Sequence, residues 1–385
     1  MAAKRLSNVP ESGTVKIANV VSKLKQEGVN DIISFSMGEP DFSSPSNIIQ
    51  ACKDSLDRNF THYTPSAGIS ELRRAVAVRA QRDNGIPCTE SNVLITPTKQ
   101  AVFMAILALI DEGDEVILPD PTWGTYEACV RLAGGIPKYV ALQPETDYRM
   151  TPEAVVEQIT PKSKMIMLNS PANPTGAVMT KNDVQGVADL AMDHDLMVMS
   201  DEVYEKIIFE GEHHSIASFD GMMDRTITVN GVSKTYAMTG WRLGWAIAAP
   251  PIIKALNTLQ THSLTCCVSF VQQAGVEALT GPQDSVRDMV REFRGRRDLI
   301  MGLMQDIPSL HCAEPKGAFY LFPSFDHKMS SEDLAAYLLQ EAHVALTPGS
   351  AFGPAGEGHI RISYACSRQD IEIGMGRIKG ALAKL

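Results

Sequence analysis

The sequence predicts an α/β fold: a large domain around a mostly parallel central sheet, joined to a smaller α+β domain. Three observations carry this. At 385 residues the chain has room for two domains of about 150 residues or more. Hydrophobic residues make up 44% and charged residues 21%, the balance of a chain that buries a core without disulfide or metal staples. Short, nearly continuous apolar runs alternate along its middle with segments of helical spacing, the pattern of strands covered on both faces by crossover helices.

The elements follow in chain order. Residues 1–14 read as an N-terminal arm and residues 15–27 as a helix. Val93-Leu94-Ile95 opens a series of buried strands, continued at 115–118, 164–168, 196–199, 226–229 and 244–247. Apolar residues at helical spacing predict helices over 98–110, 123–133 and 182–193. Residues 47–275 thus form the large domain. From 251 to 306 helical patterns dominate, with an interruption at Gly281-Pro282. Beyond lie short strands at 310–313, 318–322, 344–347 and 359–364, with helices at 331–343 and 368–384. Residues 276–385, joined by 15–46, form the smaller α+β domain.

Lys and Arg number 35 against 45 Asp and Glu, a net charge of −10. Nucleic acid is disfavoured as a partner, because such binding depends on neutralising phosphates. The densest basic run, Arg291 to Arg297, contains Glu292 and is flanked by Asp288 and Asp298, so it reads as a solvated helix face. Seven cysteines without a CxxC pair read as reduced thiols of a cytoplasmic protein. The N-terminus lacks the apolar core of a signal peptide, and the longest apolar stretch, 101–110, is too short to span a bilayer. No membrane partner is expected. Adjacent His213 and His214 point apart, and no Cys, His or carboxylate group has ligand spacing, so no metal is expected. Without GxSxG, GxGxxG or GxxxxGK, serine hydrolases and nucleotide enzymes lack support.

In open α/β sheets, chemistry gathers at the carboxyl ends of strands. Ser200-Asp201-Glu202-Val203-Tyr204 follows the strand at 196–199. Asp201 there is either a turn or cap residue or a carboxylate kept ionised by a cationic ligand group, since an unpaired buried carboxylate protonates. Between two buried strands lies Asn230-Gly231-Val232-Ser233-Lys234-Thr235-Tyr236-Ala237-Met238-Thr239-Gly240-Trp241-Arg242-Leu243-Gly244. Lys234 is costly to bury unless paired or used, and a lowered pKa makes such a lysine a nucleophilic amine for Schiff bases. Ser233 and Arg242 suit a phosphate, Arg through its bidentate fork.

The stretch from Gly231 to Gly244 resembles the lysine signature of class I aminotransferases, enzymes of fold type I that depend on pyridoxal 5′-phosphate (PLP). Further landmarks stand in family order from Ser12 nearly to the C-terminus, with most similarity to the bacterial and archaeal aspartate aminotransferase branch. The resemblance implies that Lys234 forms the Schiff base with PLP and shuttles the Cα proton. It implies Asp201 as partner of the pyridinium nitrogen, Tyr204 and Asn173 as partners of the cofactor 3′-oxygen, and Trp123 as the aromatic stacked on the ring. Asn173 stands in Asn169-Ser170-Pro171-Ala172-Asn173-Pro174, where the family places cis peptides. Ser233, Arg242, Thr98 and Lys99 fall at the phosphate. Tyr63 resembles the tyrosine that reaches the phosphate of the neighbouring subunit, which implies a homodimer with shared active sites. One departure concerns the phosphate turn, where the branch has two glycines ahead of the lysine. Here Pro97 has no N–H to offer. The Thr98 and Lys99 amides at a helix N-terminus remain, and the Thr98 hydroxyl stands ready to compensate.

On the substrate side the resemblance assigns Arg361 and the Gly38 amide to the α-carboxylate, with Trp123 and Asn173 beside them. Ser12, Thr14 and Lys99 match the residues that meet a side-chain carboxylate, and a desolvated lysine there favours aspartate and glutamate. The implied reaction is ping-pong transamination of an L-amino acid, aspartate first, with 2-oxoglutarate. A broad aromatic, alanine or prephenate aminotransferase is the alternative, followed by a PLP-dependent lyase, because geometry selects the Cα bond that breaks. Ligand-sensing transcription regulators of this fold carry a DNA-binding region ahead of it. In an acidic chain whose pattern begins by Ser12, no such region is expected.

Overall fold

Strands whose residues are apolar on both sides can only sit inside a sheet covered twice, and the computed structural model, which describes residues 3–9 and 13–385, has this layering. Seven strands form one sheet in the order Val93–Ile95, Gly244–Ile247, Thr226–Gly231, Met197–Asp201, Ser163–Asn169, Glu115–Asp120, Ile136–Ala141. All run parallel except Gly244–Ile247, which is antiparallel to both neighbours. Ile117, Ile166 and Val198 pack with the helix Lys181–Asp193 on one face. Val116, Leu118, Met165 and Met199 meet the helices Thr98–Leu109 and Pro250–Thr261 on the other. Helix starts are written locally. Thr180 and Asp183 form a reciprocal capping box, and Ser330 and Ser367 cap the helices Ser331–Ala342 and Arg368–Leu382.

The strand Ile136–Ala141 lies outside the apolar runs that announce the others. Pro137 and the exposed Ile136 disguise it, and an edge position tolerates both. The helical region after 250 breaks a second time at 262–268, where Leu264 and Val268 stay exposed and Thr265 takes φ +65°.

A second apolar centre gathers Phe35, Phe293, Phe319, Leu334, Ile362 and Ile378. Around it, Ile360–Ser363 lies antiparallel between Tyr320–Leu321 and Thr347–Pro348, and Ile33–Ser34 runs parallel to Val344–Ala345. Val203 and Tyr204 belong to the same cluster, so the carboxyl end of Met197–Asp201 abuts this second unit. The helix Ser269–Thr280 runs through position 276 and ends at Gly281.

The basic run is not a solvated face throughout. The helix Asp284–Met304 turns Arg296 and Arg297 inward, 6% and 5% exposed. Their guanidinium groups lie over Phe42 and Phe209 at 4.9 and 5.4 Å from the ring centres and pair with Asp41 and Glu210 at 2.7 and 2.8 Å. Arginine can lay its apolar stem on a core while distant carboxylates hold its head, and counting charges along the chain does not reveal this. All seven cysteines are free, three of them buried. Among the described residues no helix is long and apolar enough to cross a membrane.

Candidate active site

Five strand ends and the segment around Gly38 surround a cavity of about 310 Å³. Met197–Asp201 delivers Asp201 as its last residue. Thr226–Gly231 runs into the short helix Val232–Thr235, which carries Ser233 and Lys234. Asn173 follows Ser163–Asn169, Thr98 and Lys99 open the helix after Val93–Ile95, and Trp123 follows Glu115–Asp120. Arg242 precedes Gly244–Ile247, while Arg361 enters from Ile360–Ser363. With Gly38 and Tyr204, eleven of the fourteen residues singled out in the sequence line this cavity; three do not. Tyr63 is 89% exposed, between the helices Ser46–Asp57 and Ser70–Asn84. Ser12 lies outside the described residues, as does the side chain of Thr14, whose backbone belongs to the helix Gly13–Gln26.

Asp201 is buried with no cation paired to it among the described residues. Tyr126 Oη donates to its Oδ2 at 2.8 Å and the Val203 amide to its Oδ1 at 3.2 Å, while Asn169 Nδ2 holds its carbonyl at 3.0 Å. Burial outweighs these bonds and lifts the carboxyl pKa to about 6. Lys234 Nζ donates to the Gly38 carbonyl. Burial brings its pKa down to about 8; Glu39 opposes the shift, and Arg361 and Arg242 add to it.

Arg361 is 2% exposed. Its Nη2 donates to the Ser36 carbonyl at 2.7 Å, its Nη1 to Asn173 Oδ1 at 3.0 Å, and its Nε has no partner among the described residues. The guanidinium lies over Tyr320 and Phe352, 4.6 and 4.9 Å from the ring centres. Among the described residues no carboxylate pairs with it. A buried charge left without its opposite costs several kcal/mol, so this position is built to receive an anion. Asn173 spends its Oδ1 on Arg361, which leaves its Nδ2 to donate to a ligand.

At the other end, Arg242 takes φ +56° and donates through Nη1 to the Thr239 carbonyl at 2.6 Å. Gly231 and Gly244 make room for Thr98. A Cβ on Gly244 would stand 2.5 Å from Thr98 Oγ1, and one on Gly231 would strike the same oxygen. That hydroxyl donates to the Asn230 carbonyl at 3.3 Å, so it is engaged with the sheet rather than replacing the N–H that Pro97 lacks. Lys99 Nζ stands 4.8 Å from the Trp123 ring centre, its pKa lowered by partial burial and by Arg242. Ser170-Pro171 and Asn173-Pro174 are cis, as is Asp120-Pro121. At Gly38 a Cβ would come 2.8 Å from Tyr320 Oη, so the first thing it would crowd is that tyrosine.

Lys99, Lys234, Arg242 and Arg361 line the cavity against Glu39 and Asp201, four cations to two carboxylates, which suits a ligand with several acidic groups. A flat ligand with a protonated ring nitrogen and a phosphate fits this set. The nitrogen would give Asp201 its missing cation, and the phosphate would meet Arg242, Ser233 and the helix N-terminus at Thr98.

Sequence reasoning missed Tyr126, Asn169, Tyr320, Glu39 and Thr239, which share the cavity. Asn169 ends a predicted strand and Tyr126 stands one helical turn after Trp123, so both carried a usable signal. Tyr320, whose hydroxyl is 2.7 Å from that of Tyr204, carried none. Spacing also hid Glu202, Glu205 and His213, whose ligand atoms lie within 4.8 Å of one another. They are committed to an ion-pair network, His213 to Glu202 at 3.0 Å and Glu205 to Arg79.

A family model described as aminotransferase class I and II matches residues 30–378. An aspartate aminotransferase of Pyrococcus abyssi is 43% identical over 362 residues, covering 92% of each chain. An aromatic-amino-acid aminotransferase 2 of Thermococcus litoralis is 42% identical over 362 residues, 92% of this chain and 93% of its own. The solved structure of aspartate aminotransferase from Thermus thermophilus with maleate is 37% identical, with a TM-score of 0.94 and 99% of each chain covered.

Proposed function

The chain belongs to the aminotransferase class I and II family, and from that premise we propose that it transfers the amino group of L-aspartate to 2-oxoglutarate with PLP as cofactor. It is an enzyme that moves amino groups between small molecules. One observation supports the particular reading: Arg361, buried without a carboxylate among the described residues, shares its cavity with Lys234, whose amine burial has made easier to deprotonate. The relative from Pyrococcus abyssi is named for aspartate, and the Thermus thermophilus enzyme was solved with maleate, a four-carbon dicarboxylate.

When bound, PLP supplies the electron sink that lets a Cα–H bond break and carries the amino group between the half-reactions. Arg361 grips the α-carboxylate with its planar fork beside the Gly38 backbone. Lys234 Nζ, with a pKa about 8, takes the proton from the substrate Cα and returns one. Asp201 holds negative charge against the ring nitrogen, a pairing that draws its own pKa back toward the ordinary carboxylate range. Tyr204 and Asn173 address the 3′-oxygen, and Trp123 covers the ring. Thr98, Lys99, Ser233 and Arg242 hold the phosphate. Lys99, with Ser12 and Thr14, meets the side-chain carboxylate and selects dicarboxylic substrates.

The same reading makes the enzyme a cytoplasmic homodimer in which the exposed Tyr63 reaches the phosphate site of a second copy. It divides the chain into an arm at 1–14, a small domain of 15–46 with 276–385, and a large domain at 47–275. The Thermococcus litoralis relative, named for aromatic amino acids, favours a broader second reading. A neighbouring cavity of about 590 Å³, bounded by Trp123, Ile17, Leu339 and Phe352, offers apolar surface for an aromatic side chain.

Absorption spectroscopy tests both. Protein supplied with PLP should show a visible band that L-aspartate bleaches and 2-oxoglutarate restores, and Lys234→Ala should not complete the cycle. A band that answers phenylalanine but ignores aspartate would move the specificity to aromatic substrates. No band at all would sink the cofactor assignment.

A further inference from the structure

We propose that Ser44 is a positioning residue for the loop that links the helix of Lys234 to Arg242, and that its single hydroxyl ties down both bends of that loop. The inference rests on the reading of these two cations as cofactor-holding groups.

Between the short helix Val232–Thr235 and the strand Gly244–Ile247 the chain bends at two residues with positive φ, Ala237 at +50° and Arg242 at +56°. Neither is glycine. An L-residue with a Cβ is crowded by the neighbouring carbonyl in this region, and such a conformation persists only where the surroundings over-determine it. Within the loop, the Met238 amide donates to the Ser233 carbonyl at 3.1 Å and the Trp241 amide to the Met238 carbonyl at 3.2 Å.

Further constraint comes from far along the chain. Ser44 Oγ donates to the Ala237 carbonyl at 2.8 Å and accepts from Trp241 Nε1 at 2.9 Å. One partner is the first bend itself, and the other is the residue before the second. A hydroxyl has one proton to give, so this pair of bonds commits it to the loop. Glu39, five residues earlier, accepts from Thr239 Oγ1 at 2.7 Å between the two bends. The segment bearing Ser44 and Glu39 is itself anchored, with Asp41 on the buried Arg296 at 2.7 Å. The loop is thus pinned to a strap outside the large sheet. Arg361 is held by bonds that do not involve Ser44, to the Ser36 carbonyl and to Asn173. Loosening the Ser44 pin therefore acts on the phosphate end and leaves the carboxylate clamp in place.

Hydrogen exchange of the cofactor-free protein tests the pin without calling on activity. In Ser44→Ala the amides of residues 236–242 should exchange about ten-fold faster, with unchanged protection at Arg361. Ser44→Thr keeps the hydroxyl and should restore the protection. Trp241→Phe, which removes the indole N–H together with part of the ring packed on the core, should loosen the same amides, and it serves if Ser44→Ala does not fold. In the holoenzyme, Ser44→Ala should retain PLP about ten-fold less tightly while the KM for aspartate stays within about two-fold. Wild-type exchange rates in Ser44→Ala, or equal loosening in Ser44→Ala and Ser44→Thr, would overturn the proposal. A wild-type protein that takes up no PLP would instead overturn the cofactor reading, and the exchange rates would still decide the role of Ser44.

Discussion

Among the described residues, Asp201 sits under the Tyr126 hydroxyl without a cation, and Arg361 sits between aromatic rings without a carboxylate. Both are unfavourable to the bare fold and favourable to a ligand of opposite charge. For Asp201 the folded pKa of about 6 stands above the unfolded carboxylate value of about 3.9. Its contribution to stability is therefore fully present below the unfolded value and is lost as pH rises through about 6. Asp201→Asn should raise the thermal midpoint of the cofactor-free protein at pH 8, by less at pH 5, while abolishing transamination at both. Thermal denaturation at the two pH values checks this, and an unchanged midpoint at pH 8 would mean that a cation already pairs with Asp201. Arg361→Leu should lower kcat/KM for aspartate by roughly 10²- to 10³-fold, mostly through KM, the scale expected for truncating a buried charged contact. Steady-state kinetics decides it; an unchanged KM would put the carboxylate clamp elsewhere. The residue types were legible in the sequence, since Lys234, Ser233 and Arg242 stand in one short string. That Arg361 lacks a counter-charge was not, because a missing partner is a property of everything folded around it.

Elements meet the site through small residues. The strands Thr226–Gly231 and Gly244–Ile247 end their pairing at Gly231 and Gly244, and both glycines face the start of the helix Thr98–Leu109. A methyl group on Gly244 would press on Thr98 Oγ1 and on the Asn230 carbonyl, 2.5 and 2.7 Å away. Gly244→Ala should cost about 1–3 kcal/mol, read by urea unfolding, and should weaken PLP retention; wild-type values for both would show that the helix start yields freely. Sequence periodicity found the interior strands because burial on both faces leaves an unbroken apolar run. It missed Ile136–Ala141, where an edge position admits Pro137. The mixture of charges along the chain placed Arg296 and Arg297 in solvent, because their carboxylate partners Asp41 and Glu210 lie in distant segments.

Across the whole molecule a buried network joins the strand end to the helix Ser70–Asn84. Glu202 takes His213, Ser200 and Ser215, while Glu205 takes Arg79 and Asn84. Burial opposes a charged imidazole, but Glu202 and then Glu205 outweigh it and raise the His213 pKa, with Lys206 pulling the other way. A raised histidine contributes stability that is fully present below its unfolded pKa and lost as pH rises through the folded one. His213→Gln should therefore cost about 3 kcal/mol at pH 6, the lower range for breaking a buried pair, and less at pH 9. Denaturant titrations at both pH values test it, and an equal loss at each would mean that the pair carries no charge. By itself, the sequence determined the interior strands with the helices between them and the string that identifies the family. These are short-range properties, carried by periodicity and by neighbours in the chain. Only the tertiary structure decided that Tyr126 and Tyr320 join the site, that two arginines face inward, and that Arg361 meets Asn173 across 188 residues of chain. Contacts of that span are selected by packing, which no local spacing encodes.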